Sequence, residues 1–376
     1  MKAIINGKLM IDDKLIEDKV LVFDKRILDI CEEVPNGAEV IDAKGLLVGP
    51  GLIDVHIHGC GGYDVMDASA KALETISETV ARFGVTSYLA TTMTMSQQDI
   101  KNALDTIETM MKQPSKGAKI LGCHLEGPYI SETFKGAQNA EYIVKPTFEQ
   151  IQPYSDTIKL ITIAPEEDEN HEFIKTVRAN TNIKLSIGHT SATYEEAKSA
   201  IEDGITHATH TFNGMTGLHH RDPGVVGAIL TSDIFAEIIA DTIHVHKGLF
   251  KWFSDNVGLN RVVLVTDSMR AGGMDDGVYD LGGQEVVVCN KCARLRSGSL
   301  AGSVLTLNQA IKNYVEHSHL SLNEVYRFAS LNPATSIGVE ATKGSIAIGK
   351  DADLVVWDEN LEAISTFVEG TLVYSK

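Results

Sequence analysis

The strongest constraint on the fold is an alternation, repeated through the middle of the chain, of short apolar runs with segments of helical period. Such alternation is typical of βα units, which build parallel sheets. Eight units are enough to close a (β/α)8 TIM barrel, an α/β fold. The predicted barrel strands are Leu52–His58, Ser87–Thr91, Ile120–Glu126, Lys159–Ala164, Ile183–His189, Thr206–Thr211, Phe235–Ala240 and Val262–Asp267.

Capping signals support the helices that follow these strands. Thr193–Asp203 begins with Thr193 as N-cap, has Glu196 at the third helical position, and ends before Gly204. This pattern predicts a capping box and a glycine stop. Ser96–Met111 is predicted to begin at Ser96 in the same way.

Both ends of the chain contain short β-branched runs separated by turn residues, which predict strands. Neither end is long enough to bury a good core alone. We therefore expect them to combine into a small discontinuous β-sandwich domain, residues 1–48 and 345–376. The barrel would then occupy residues 49–344.

Charge and cysteine content limit the partners and the compartment. Acidic residues number 51 against 33 basic ones, which gives a net charge of −18. The electric field of this negative charge repels phosphate polymers and anionic lipids, so it disfavours a surface that binds nucleic acid or membranes. Five scattered cysteines do not suit a disulfide scaffold, and acidic residues interrupt the N-terminus before an apolar signal core forms. We predict a cytoplasmic protein.

Histidines and carboxylates gather where a barrel places function, at the carboxyl ends of its strands. His56 and His58 are two residues apart on one strand, so both point to the same face. Glu126, His189 and His210 end neighbouring strands. Any one histidine could be a core residue, but imidazoles and carboxylates together are ligands for zinc or iron. The pattern predicts a metal site.

Asp267 ends the last apolar strand. A carboxylate there is costly unless it is paired or has a function. One interpretation is a helix N-cap, a position that Asp favours. The interpretation we prefer is catalysis, in which the carboxylate accepts a proton from a metal-activated water and passes it to the leaving amine.

Several ordered motifs resemble one enzyme family. They are GPGLIDVHIHG (49–59), HLEGPYI (124–130), SIGHTSATYEEA (186–197), HTFNGM (210–215), HRDPGVVGA (220–228), DTIHV (241–245), LVTDSM (264–269), SLAGS (299–303) and KGSIAIGKDADLVVWD (343–358). Together they resemble the deacetylases of N-acetylglucosamine 6-phosphate, a family within the metal-dependent amidohydrolase superfamily. The resemblance spans essentially the whole chain and implies release of acetate and glucosamine 6-phosphate in amino-sugar metabolism.

The resemblance also implies roles for individual residues. Glu126, His189 and His210 would hold the catalytic metal, and Asp267 would be the acid/base residue. Family members differ at the pair corresponding to His56 and His58, so one or two divalent ions, most simply Zn²⁺ or Fe²⁺, remain open.

The substrate phosphate requires cationic or N–H donors. Arg221 offers a planar fork and the Asn213-Gly214 turn a close backbone approach, although Arg221 could equally form a surface ion pair with Asp222. In the family the matching arginine reaches the phosphate across a dimer interface, which implies a homodimer. The remaining implied contacts are Ala137, Gln138, Asp241, Thr242, Ile243, His244, Leu300, Ala301 and Gly302, with Gln138 standing where some members carry His.

Two alternatives remain to be separated from this function: another amidohydrolase, which acts on a different N-acyl or cyclic amide substrate or on a nucleobase, and a noncatalytic scaffold that kept the barrel. A cyclic amidase would bridge two metals with a lysine at the end of strand 4, but this strand ends at Ala164-Pro165. A noncatalytic scaffold would be expected to lose ligands or the acid/base residue, and the chain keeps them. Cys289 and Cys292 have the spacing of a zinc or redox pair, but the absence of a second pair favours ordinary hairpin cysteines.

Overall fold

The protein is described here from a computed structural model that covers residues 1–12 and 14–376. Its centre is a barrel of eight parallel strands that pair in chain order, with a bridge between Ile57 and Ser268 joining the last strand's end to the first. These strands are Leu52–Ile57, Val85–Thr91, Lys119–Glu126, Ile158–Ile163, Lys184–Ile187, His207–Ala208, Phe235–Ile239 and Val262–Val265. The predicted (β/α)8 barrel is confirmed.

Helices surround the barrel and bury their apolar faces against it. The α-helices are Ala70–Ala81, Gln97–Met111, Phe148–Ile151, Glu172–Asn180, Tyr194–Asp203, Gly224–Leu230, Phe250–Val257, Leu307–Ser318, Leu322–Tyr326 and Leu331–Ser336. Short 3-10 helices cover Val65–Asp67, Ala140–Tyr142, Gln152–Tyr154, Pro165–Glu167, Glu169–His171, Lys247–Leu249 and Arg327–Ala329. Thr193 and Glu196 form the predicted capping box. No helix of the described chain is long and apolar enough to cross a membrane.

The two ends of the chain form two further sheets around a shared core. One sheet contains, in spatial order, Ile27–Cys31, Val20–Phe23, Lys2–Ile5 and Glu39–Asp42. The other contains Thr371–Ser375, Ala363–Val368, Leu354–Trp357, Leu47–Pro50, Lys8–Ile11 and Lys14–Ile16. Phe23 and Leu21 from the N-terminal part pack with Leu354 and Phe367 from the C-terminal part. The predicted joining of the termini is confirmed, while the domain boundaries stay a prediction, and Leu47–Pro50 crosses the first of them.

A three-stranded antiparallel sheet follows the last barrel strand, and only its hairpin around Cys289 and Cys292 was predicted. Its strands are Gly277–Leu281, Gln284–Cys289 and Cys292–Leu295. A separate two-stranded sheet pairs Gly59–Cys60 with Tyr63–Asp64. Cys289 and Cys292 lie opposite each other at the tip of a hairpin. The sheet packs Leu281 and Val286 against Met93 and Met269, and so forms one wall at the carboxyl end of the barrel.

Candidate metal centre and active site

A cleft of about 230 Å³ opens at the carboxyl ends of the barrel strands. It is lined by side chains from several strands and by residues of the loops that follow them. The lining residues are His58, Met93, Glu126, Gly136, Ala137, Gln138, His189, His210, Asn213, Gly214, His244, Asp267, Leu281, Ser299, Leu300 and Gly302. The barrel thus brings the predicted metal ligands and Asp267 into one place.

Glu126 is the centre of this cluster. Its Oε1 lies 3.1 Å from Nε2 of His210 and 3.3 Å from Nε2 of both His189 and His56. Its Oε2 lies 3.2 Å from Nε2 of His58. All five side chains are buried, so water does not compensate these groups. Four imidazole nitrogens that converge on one carboxylate form a donor set suited to a divalent cation.

The cluster contains two overlapping sets of three ligands. Glu126, His189 and His210 form one, and His56, His58 and Glu126 form the other, with the ligand atoms of each set within 4.8 Å of one another. Nε2 of His56 is buried and has no hydrogen-bond partner within the described chain. An unpartnered buried nitrogen that faces carboxylates is costly without a cation. These residues therefore fit the metal that the sequence predicts.

Hydrogen bonds on the far side of each ring fix which nitrogen faces the cluster. Nδ1 of His189 lies 2.7 Å from the carbonyl oxygen of Phe134, and Nδ1 of His56 lies 2.9 Å from Oε2 of Glu237. Both partners can only accept, so each Nδ1 carries a proton and Nε2 is the nitrogen left to bind a cation. Glu237 was not predicted from the sequence. The signal that could have found it is a single charged residue inside the apolar strand Phe235–Ile239.

A third group, His56, His124 and Glu237, is compact enough to resemble a ligand set. His124 is already satisfied, because Nδ1 lies 3.0 Å from the carbonyl oxygen of Val55 and Nε2 lies 2.7 Å from Oγ1 of Thr162. Burial, together with the charge of His56, lowers the pKa of His124 to about 3. His124 is therefore a neutral residue that packs beneath the cluster.

Asp267 faces the same cleft. Its Oδ1 lies 3.2 Å from Nε2 of His58 and 3.5 Å from Nε2 of His56. Burial alone would raise the pKa of Asp267, but His56 and His58 lower it below its ordinary value. The next α-helix begins only at Leu307, so Asp267 does not cap it and the N-cap interpretation is wrong. The carboxylate is ionised at neutral pH and can accept a proton.

Three site residues have strained backbones. The φ angles of His189, His210 and Asp267 are 48°, 29° and 47°. This left-handed region costs roughly 1–3 kcal/mol for a residue with a Cβ and is typical of functional sites. With this backbone conformation, all three residues line the cleft.

His244 lines the cleft and is held by Asp241. Its Nδ1 is 2.6 Å from Oδ2 of Asp241, whose Oδ1 accepts hydrogen bonds from the backbone N–H groups of Ile243 and His244, each at 2.8 Å. Burial opposes protonation of His244, but Asp241 outweighs it and raises the pKa of His244. Asp241 and Ile243 thus shape the loop that presents His244.

The other predicted substrate contacts divide into two groups. Residues that line the cleft are Ala137, Gln138, Asn213, Gly214, His244, Leu300 and Gly302. Residues outside that lining are Arg221, Asp241, Thr242, Ile243 and Ala301. Gln138 has both ends of its amide engaged, since Nε2 donates to Oε2 of Glu126 at 2.8 Å and Oε1 accepts from the N–H of Thr94 at 2.7 Å.

Comparison with known proteins places the chain in a family. A model of the amidohydrolase family matches residues 47–373, and the chain belongs to that family. The chain is 39% identical over 355 residues to the N-acetylglucosamine-6-phosphate deacetylase of Lysinibacillus sphaericus, covering 93% of this chain and 91% of that protein. It is 35% identical over 370 residues to an N-acetylgalactosamine-6-phosphate deacetylase of Escherichia coli O157:H7, covering 97% of each. The crystal structure of N-acetylglucosamine-6-phosphate deacetylase from Pasteurella multocida has a TM-score of 0.95, 33% identity and full coverage of both chains. The predicted resemblance is confirmed.

Proposed function

We propose that the protein hydrolyses the acetamido group of N-acetyl-D-glucosamine 6-phosphate and releases acetate and D-glucosamine 6-phosphate. One observation carries this proposal: in a chain similar to such deacetylases, Asp267 and the cluster centred on Glu126 face the same cleft. The reaction would belong to amino-sugar catabolism in the cytoplasm. We also propose the domain division stated above, with the barrel at residues 49–344.

Glu126, His189 and His210 would hold the catalytic cation, and His56 and His58 would complete a second position with Glu126. A bound divalent ion supplies Lewis-acid chemistry, since it polarises a carbonyl oxygen and makes water a stronger acid. Imidazole and carboxylate suit both zinc and iron, so elemental analysis of the purified protein decides between them and between one and two ions.

Asp267 would move the proton. As a carboxylate it accepts a proton from the attacking water, and as a carboxylic acid it delivers that proton to the amide nitrogen when the C–N bond breaks. His244, held by Asp241, would contact the substrate beside the reacting group. Asn213, Gly214, Leu300 and Gly302 would surround the sugar.

Arg221 would bind the phosphate of the substrate in a partner subunit. The side chain is exposed, outside the lining of its own cleft, and its Nη1 contacts Nε2 of His220 at 2.7 Å. Guanidinium forms two parallel hydrogen bonds to phosphate, which suits this role. We therefore propose a homodimer in which each subunit completes the other's site.

Arg221→Ala tests the phosphate role. The variant should lose far more kcat/KM on N-acetylglucosamine 6-phosphate than on N-acetylglucosamine, because only the first carries the phosphate. Equal losses on both substrates would remove Arg221 from phosphate binding. Mixing Arg221→Ala with Asp267→Ala tests the dimer, since a hybrid contains one intact site. Activity that does not recover on subunit exchange would argue against completion by the partner.

The function itself is tested with a substrate panel. Purified protein is offered N-acetylglucosamine 6-phosphate, N-acetylgalactosamine 6-phosphate, N-acetylglucosamine and a cyclic amide, and acetate or ring opening is measured. The proposal predicts the highest kcat/KM on N-acetylglucosamine 6-phosphate. A preference for the galactosamine isomer, as the name of the Escherichia coli relative indicates for that protein, would correct the substrate but keep the reaction. Turnover of the cyclic amide alone would reject the proposal.

A further inference from the structure

Glu237 is a charged residue in the middle of the seventh barrel strand, with no exposed surface. Its Oε2 lies 2.9 Å from Nδ1 of His56 and accepts the backbone N–H of His210 at 2.9 Å. Its Oε1 lies 3.2 Å from Nε2 of His207. A fully buried carboxylate is costly unless it is compensated, and here the compensating groups include parts of two predicted metal ligands.

These contacts act on the ligands in different ways. On His56, the carboxylate holds the ring and keeps a proton on Nδ1, so that Nε2, which points to Glu126, is the nitrogen left to bind a cation. On His210, it holds the backbone N–H of a residue whose φ of 29° is strained. One oxygen atom therefore touches one ligand from each of the two overlapping sets.

We propose that Glu237 is a positioning residue that orients both metal positions together. The inference rests on the proposed function, because it assumes that the cluster centred on Glu126 binds a divalent cation. A purely structural role would have a different consequence. Glu237 would then only contact His207 inside the barrel, and its loss would change the stability of the protein without changing its affinity for metal.

Glu237→Gln is the direct test, since it keeps the volume and removes the charge. The amide oxygen can still take the place of Oε2, but without the negative charge its hydrogen bonds to His56 and His210 are weaker. The variant therefore holds these two ligands less firmly. Metal-free wild type and variant are titrated with Zn²⁺ against a competing chelator, and thermal unfolding of both metal-free proteins is recorded. Removal of a partner that orients metal ligands weakens affinity by about 10–100-fold. We expect that loss, together with a reduced metal content at limiting Zn²⁺.

Ser186→Ala is the matched control. Ser186 is also fully buried on a barrel strand, and its hydroxyl contacts Oγ1 of Thr209 at 2.6 Å without touching a ligand side chain. It should lower the unfolding temperature and leave Zn²⁺ affinity unchanged. If Glu237→Gln does not fold, Glu237→Asp carries the test, because it keeps the charge but shortens the reach to His56.

The outcomes separate this inference from the function. A folded Glu237 variant that binds Zn²⁺ as tightly as wild type overturns the positioning role, even when the wild type is an active deacetylase. A wild type that binds Zn²⁺ but releases no acetate rejects the proposed function, while weaker binding by Glu237→Gln still supports the positioning role. A wild type that binds no divalent cation overturns both.

Discussion

Replacement of Asp267 by Asn should stop the chemistry and keep the metal. Asn has nearly the same shape but cannot accept a proton, and the carboxylate lies 3.2 Å from His58 without belonging to either ligand set. General acid–base catalysis contributes typically ~10²–10⁴-fold. The loss in kcat should therefore correspond to about 3–5 kcal/mol of transition-state stabilisation.

The assay is acetate release from N-acetylglucosamine 6-phosphate at saturation, with metal content measured on the same preparation. Asp275→Asn is the control, because Asp275 is an exposed carboxylate in the segment after the last barrel strand. We expect that control to keep full activity. A metal-loaded Asp267→Asn protein with the kcat of the wild type would refute the assigned role, and so would a loss explained entirely by missing metal.

Two further predictions concern the surroundings of the cluster. Gly214→Ala places a Cβ 2.9 Å from Nδ1 of His189 at a φ of 59°, so it should weaken Zn²⁺ affinity measured by chelator competition. Gly217→Ala, whose Cβ would meet nothing within 4 Å, should not, and equal affinities of the two variants would contradict this. The second prediction concerns pH. Burial depresses the pKa of His124 in the folded protein to about 3, against an ordinary 6.5 in the unfolded chain. Between these values the unfolded chain binds a proton that the folded protein does not, so the stability of the fold falls as pH drops from 6.5 towards 3. Between pH 7 and pH 4, His124→Gln in metal-free protein should remove up to about 3 kcal/mol of that acid-induced loss, and an unchanged difference in unfolding temperature between these two pH values would contradict it.

The barrel could be predicted because its strands are buried on both faces and therefore appear as apolar runs. The sixth strand is the instructive exception: the run predicts Thr206–Thr211, but the strand covers only His207–Ala208. The chain leaves the regular ladder where His210 adopts its left-handed backbone, a feature that no local pattern shows. Of the three-stranded sheet, the hairpin around Cys289 and Cys292 was predicted, but Gly277–Leu281 was missed, because this short strand is flanked by glycines and aspartates that favour turns.

The site residues also divide into those whose role could be predicted from the sequence and those whose role could not. Residues at strand ends, such as His56 and Glu126, could be assigned because a barrel places those ends together. The single charge inside an apolar strand marks Glu237 as unusual, but its role could not be assigned, since that role depends on the ring of His56 and on the backbone N–H of His210, just after the neighbouring strand. The role of Gln138 depends likewise on two hydrogen bonds, to Glu126 and Thr94, that bring distant loops together.

Removal and return of the metal tests the central claim most directly. The purified wild type is stripped with a chelator, dialysed, and assayed for acetate release from N-acetylglucosamine 6-phosphate before and after addition of Zn²⁺ or Fe²⁺. We predict that activity disappears with the metal and returns in proportion to the ion bound by the cluster of Glu126, His189 and His210. Full deacetylation by the metal-free protein, or none after the metal is restored, would contradict the account.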